Sequence, residues 1–212
     1  MKFYKYIICI LVLFNIAVSY SLYISKTKLT SIVEKYWDYD FQINHLLDNH
    51  NKLIMFSKLQ YHAENQEIKD IMIYDKENKE LPLSYVLSNH SKLIYYYSEQ
   101  GCNGCFEPFL YKLDSISNSI GKNNIIVISD FPNYRTFKAS AGDKFKNINI
   151  YRISEKLELI NAQDHEYAYA FLMKSDRKAH KVIITDKINT DFTNEYLSYL
   201  SEYFKQMSKY KP

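Results

Sequence analysis

No second cysteine pair, and no pair of histidines at metal-ligand spacing, occurs in this 212-residue chain. The three cysteines are Cys9, Cys102 and Cys105, which excludes a multi-disulfide scaffold and leaves a zinc site short of ligands. Basic blocks and arginine clusters are absent as well. The formal net charge is +3 with both signs spread along the chain, so nothing supports a nucleic-acid partner. Glycine and proline are scarce at four residues each, and no internal repeat or low-complexity segment interrupts the sequence. What is present is enough apolar material for a core: 47% hydrophobic residues, which excludes global disorder. Tyrosine reaches 21 residues; it suits strands, though an AT-rich coding bias explains the abundance more simply.

Lys2 and Lys5 precede an uncharged run over residues 6–25. About twenty such residues can cross a hydrocarbon core as a helix. Positive charge ahead of the run favours leaving the N-terminus in the cytoplasm, although Lys26 and Lys28 on the far side weaken that bias. Two outcomes stay open: an uncleaved anchor, or a signal peptide cut before Tyr20 after Ala17-Val18-Ser19. Both place the bulk of the chain outside the cytoplasm, where isolated cysteine pairs oxidise readily. Cys9 is too early, and too poorly flanked by small residues, to be a lipoprotein acceptor.

Residues 28–58 carry Leu29, Ile32, Val33, Tyr36, Trp37, Phe41, Leu46, Leu47, Leu53 and Ile54, spaced by threes and fours as in one or two amphipathic helices. A stalk packing on its own domain is the plain reading; self-association or a membrane-surface role is the alternative. The expected organisation is residues 1–25 as anchor or signal peptide, 26–66 as stalk and 67–212 as one globular domain.

In that domain, residues 68–74 and 81–86 flank a polar turn at 75–79, as a hairpin or a strand with a short helix. KLIYYYS at 92–98 suits a central strand, and a helix is expected from Cys102 to about residue 119, with Pro108 in its first turns. NIIVIS at 124–129 is the next strand, followed by a short helix at 133–140 and a strand at 147–153. A helical turn is expected at 155–161, then strands at 167–174 and 180–185. The apolar stripe of residues 193–210 closes the chain as a helix, with Asp191 or Thr193 as cap. Alternating strands and helices followed by a hairpin imply an α/β fold, one mixed sheet with helices on both faces.

Cys102-Asn103-Gly104-Cys105 falls where a strand gives way to a helix. The first turn of a helix leaves amide groups unpaired and carries partial positive charge, which stabilises a thiolate. Residues three apart on a helix share a face, so Cys105 can attack a mixed disulfide at Cys102. Cys102 is the expected nucleophile and Cys105 the resolving thiol of a redox-active pair. A purely structural disulfide, or a pair without function on an inherited fold, remains the alternative.

These residues, together with IMIYDKENKELPLSYV ahead of the core and YAYAFLMKSDRKAHKVIITD after it, make residues 68–204 resemble the thioredoxin-like superfamily, nearest its membrane-anchored, redoxin-type bacterial branch. The resemblance implies a thioredoxin-like mixed sheet flanked by helices, preceded by a transmembrane helix and a helical stalk. It implies thiol–disulfide exchange with envelope protein thiols or disulfides, electrons from a membrane partner, a periplasmic domain, and neither cofactor nor metal. Family members usually carry a large residue before the first cysteine, where this chain has Gly101. They usually carry a cis-proline facing the dithiol, where this chain has Ala168, the expected substrate-docking position. Their buried carboxylate, six residues before the first cysteine, is here Tyr96, with Glu99 and Glu107 as nearby candidates for proton transfer. A peroxide-reducing relative would carry threonine where Glu99 stands. The rival expectation is a non-catalytic thioredoxin-fold binding module of the cell envelope.

Overall fold

The computed structural model describes residues 2–87, 90–98, 103–137, 139, 145, 147–160, 167–186, 188 and 190–209; the side chains of residues 2, 103–105, 208 and 209 are not described. The chain divides into two compact units, Met1–Lys52 and Leu53–Pro212.

No glycine or proline interrupts the sequence before Pro82. With neither breaker present, the N-terminal segment forms one helix, α1 (Lys2–Ala63), which joins the expected membrane-crossing run of residues 6–25 to the one or two helices expected over residues 28–58. It is the one helix among the described residues long and apolar enough to cross a membrane. The side chains described within the first unit are exposed almost throughout.

The second unit is an α/β domain built on one mixed sheet flanked by helices. The expected hairpin is formed by β1 (Met72–Tyr74) and β2 (Glu80–Pro82), and the short helix α2 (Leu83–Val86) follows it. Next come β3 (Lys92–Tyr97), α3 (Asn103–Ile120) and β4 (Ile125–Ser129). The order continues with α4 (Tyr134–Phe137), β5 (Asn149–Ile153), β6 (Ala168–Met173), β7 (Ala179–Thr185) and α5 (Thr190–Lys209). The strands lie in the order β2-β1-β5-β4-β3-β6-β7. Strands β3, β4 and β5 run parallel, and the β6–β7 hairpin adds antiparallel to β3. Gly121 turns the end of α3 with φ of 92°, a conformation that side-chain-bearing residues rarely adopt.

Alternation along the strands sorts the core into two layers. Leu93, Tyr95 and Tyr97 of β3 face α3 and α5, packing with Phe106, Phe109, Leu113 and Leu200. Ile94 and Tyr96 face the opposite layer, which holds Phe56 and Ala63 from the end of α1 and Leu83 from α2. The domain core therefore includes residues that precede Glu67. The end of α1 is also tied to β7: Glu64 accepts from the backbone of Lys181 and Val182 at 3.1 and 3.2 Å.

Three local expectations are corrected. Residues 155–160 are bends and turns rather than a helical turn, because Leu157, Leu159 and Ile160 point into the second core layer from an irregular backbone. Helix α5 begins at Thr190, so Asp191 and Thr193 lie inside its first turn and neither precedes it. Pro108 lies in the second turn of α3, where its missing N–H leaves the Gly104 carbonyl without that intrahelical donor.

Candidate active site

The parallel strands β3 and β4 end at one edge of the sheet, and α3 starts from that same edge. Antiparallel pairing brings the first residue of β6 and the last of β7 there as well, since Ala168 pairs with Thr185 and Tyr169 with Tyr96. The topology thus gathers the end of β3, the end of β4, the first turn of α3 and Ala168. Cys102 lies outside the described residues, as do Gly101 and Glu99. Cys105 is the third residue of α3. Glu107 is half-buried on the same helix and close enough to Tyr97 for its charge to act on that hydroxyl.

Under the first turns of α3, Tyr97 stacks on Phe106 with ring centroids 4.3 Å apart, and Tyr95 packs on Phe109 at 4.5 Å. The Tyr95 hydroxyl is within hydrogen-bonding distance of both the Phe106 carbonyl and Thr185 Oγ1, at 3.4 Å each. Thr185 Oγ1 in turn donates to the Ala168 carbonyl at 3.1 Å. A polar path thereby joins the start of α3 to the start of β6 through the domain interior. Ala168 is 7% exposed, and no cis peptide bond occurs among the described residues, so the family's cis-proline has no conformational counterpart there.

On the other face, the Tyr96 hydroxyl donates to Asp130 Oδ2 at 3.0 Å, and the Ser98 hydroxyl donates to the same oxygen at 2.8 Å. Asp130 directly follows β4. Sequence reasoning missed it: its partners lie on another strand, and only the parallel register of β3 and β4 brings them together. Burial raises the Tyr95, Tyr96 and Tyr97 hydroxyls well above their ordinary ionisation range, and Asp130 adds to the effect on Tyr96.

Two further hydroxyls stand out by what they lack. The Tyr97 hydroxyl and Ser129 Oγ are buried on paired strands, and among the described residues neither has a hydrogen-bond partner of acceptable geometry. Ser129 is nonetheless close enough to offset part of the effect of burial on Tyr97.

A βαβ unit of parallel strands, followed by an antiparallel hairpin and a closing helix, makes the domain thioredoxin-like. No family model matches the sequence, and no curated protein matches it. Among solved structures, the chain is similar to peroxiredoxin Q of Xanthomonas campestris at 14% identity and a TM-score of 0.47, covering 66% of this chain and 97% of that one. The mitochondrial 2-Cys peroxiredoxin of Plasmodium falciparum aligns at 9% identity and a TM-score of 0.43, covering 71% and 98%. A candidate protein disulfide isomerase of Bacteroides thetaiotaomicron aligns at 14% identity and a TM-score of 0.45, covering 64% and 90%. The likeness is confined to the fold.

Proposed function

We propose that this chain is a membrane-anchored thiol–disulfide oxidoreductase whose globular domain lies outside the cytoplasm, with Cys102 as nucleophile and Cys105 as resolving thiol. The observation that supports the reading is the pair of elements on either side of the CxxC sequence: the fully buried strand β3 ends at Tyr97, and the 18-residue helix α3 is described from Asn103. Cys102 itself lies outside the described residues; in sequence it stands between β3 and the first described residue of α3, and a side chain just ahead of a helix can accept from the amides of the first turn. A thiolate there gains both those donors and the positive end of the helix.

The exchange proceeds in two steps. The Cys102 thiolate attacks one sulfur of a substrate disulfide, forming a mixed disulfide and releasing the other substrate sulfur as a thiolate that takes up a proton. Cys105 gives up its proton and attacks Cys102, releasing the second substrate thiol and leaving a Cys102–Cys105 disulfide. The substrate gains two electrons and two protons, and a dithiol partner in the membrane or envelope returns the pair to its reduced form. Ala168, at the start of β6, is the backbone position offered to an extended substrate.

A second reading is favoured by the missing cis bond at Ala168: a binding module that uses the fold without exchange chemistry. Both readings are tested on the full chain in detergent. Cys102→Ser should abolish reduction of a generic disulfide, and Cys105→Ser should accumulate mixed disulfides at Cys102. A wild-type pair that equilibrates with no thiol buffer would leave the binding module standing. Rapid alkylation of Cys105 alone at neutral pH would reverse the two roles. Export is tested separately by a fusion after Lys58, where a reporter active only in the cytoplasm would overturn the assigned side.

A further inference from the structure

We propose that residues 29–50 of α1 form a parallel, two-stranded coiled coil with the same residues of a second copy of this chain. Leu29, Ile32, Tyr36, Tyr39, Ile43 and Leu46 follow one another in alternating steps of three and four residues. That 3.5-residue period keeps one seam of a supercoiled helix turned toward a partner. All six side chains are exposed, from 55% at Ile43 to 68% at Tyr36. A long helix with such a stripe left open to water is poorly stabilised alone, and burying the stripe supplies the missing packing.

Charge selects the partner and its direction. Lys35 and Asp40 flank the seam, Lys35 just before Tyr36 and Asp40 just after Tyr39. These are the two flanking positions that meet across a parallel, in-register pair, where each Lys35 faces Asp40 of the other copy. The two-fold symmetry of identical helices makes this contact twice. Polar residues outside the seam are closed within one helix: Asp38 accepts from Gln42, a flanking residue just before Ile43, at 2.9 Å, and on the outer face Lys52 meets Asp48 at 3.0 Å. The outer face therefore needs no partner, although the seam leaves Trp37 and Phe41 on that face.

A membrane surface is the wrong occupant. Across residues 29–50, Glu34, Asp38, Asp40 and Asp48 oppose Lys35 as the one basic side chain apart from histidine. Helices that lie in a bilayer interface carry a polar face rich in lysine and arginine instead. The parallel sense also rests on the anchor reading, since two chains anchored with the same topology leave the membrane in the same direction.

The test uses the full chain in lipid vesicles, with Cys9, Cys102 and Cys105 changed to serine and one new cysteine at a time. Under mild oxidation, Tyr36→Cys and Ile43→Cys should each give a disulfide-linked dimer, whereas Asn44→Cys and Asp48→Cys should not. Same-residue links at two separated positions require the parallel, in-register arrangement. Adding Lys35→Asp should abolish the Ile43→Cys link, and adding Asp40→Lys to that variant should restore it. Monomer at every position, or equal linking at all four, overturns the proposal, the second result marking chance collision or a helix lying on the membrane. Chains that fail to float with the vesicles count against the anchor alone; the same four links, read in detergent, then decide the coiled coil.

Discussion

The Tyr96 hydroxyl and the Asp130 carboxylate meet at 3.0 Å across the ends of two neighbouring parallel strands. The hydroxyl of Tyr96 on β3 thus reaches a carboxylate supplied by the residue that follows β4. Ser98 holds the same oxygen at 2.8 Å and is itself 2% exposed, so two donors from one end of the β3 segment fix a single carboxylate oxygen.

Asp130 is expected to communicate with the dithiol through its charge. Replacing it by asparagine keeps the shape and an acceptor but removes the negative charge, which lowers the cost of forming a thiolate nearby. The midpoint of cysteine alkylation against pH should move downward in Asp130→Asn, and an unmoved midpoint would disconnect Asp130 from the cysteines. Asp130→Ala removes the carboxylate that accepts from the Tyr96 and Ser98 hydroxyls and should lower stability by about 1–3 kcal/mol, read by denaturant unfolding.

The buried tyrosines predict a steep alkaline limit. Burial raises the hydroxyls of Tyr95, Tyr96, Tyr97 and Tyr169 above their ordinary value of 10.0. Above pH 10 the unfolded chain loses these protons while the folded one keeps them, so stability is intact below that pH and falls as pH rises past it. Each such tyrosine contributes a slope of about 1.4 kcal/mol per pH unit. Tyrosinate absorbance from these residues should therefore appear together with loss of circular dichroism. Titration of the whole set in a domain that stays folded would contradict their burial.

The runs KLIYYYS and NIIVIS and the stripe of α5 were legible because unbroken apolar strings and helical spacing are local signals. The end of β3 and the presence of α3 were legible for the same reason, as a strand pattern giving way to a helix pattern. Asp130 was not: a lone acidic residue after a strand looks solvated until Tyr96, 34 residues away in sequence, is placed beside it. Leu157, Leu159 and Ile160 misled because burial of closely spaced apolar residues does not require a helix. Phe56 was hidden by continuity, since the apolar pattern of α1 runs on without a breaker into the domain.

Phe56 should accordingly behave as a core residue of the globular domain. It is 1% exposed and meets the Tyr167 ring edge-on with centroids 5.0 Å apart. Phe56→Ala removes that contact and leaves a cavity, at a cost of about 3–5 kcal/mol. The check is chemical unfolding of the full chain in detergent, followed through the tyrosines of the domain. An unchanged midpoint would make the end of α1 a passive connector.

Ala168→Pro is expected to raise activity in a generic disulfide-reduction assay. Ala168 opens β6, a strand paired on both sides, and its carbonyl is already engaged by Thr185 Oγ1 at 3.1 Å. The backbone at this edge is therefore well fixed, and what it lacks is the turn that a cis bond would give to present it to an extended substrate. A cis bond before alanine costs roughly 3 kcal/mol, whereas before proline the penalty falls to about 1 kcal/mol or less. The first residue of a strand is also where proline is best tolerated, because the ladder asks least of its missing amide there. Activity and thermal melting need to be read together on the same preparation. A variant that melts near the parent temperature and reduces disulfides faster supports docking at β6; one that melts normally with unchanged activity removes Ala168 from the site and favours the binding module. A large drop in melting temperature would show instead that the amide of residue 168 is part of the sheet, with the strand start fixed by pairing to β3 and β7.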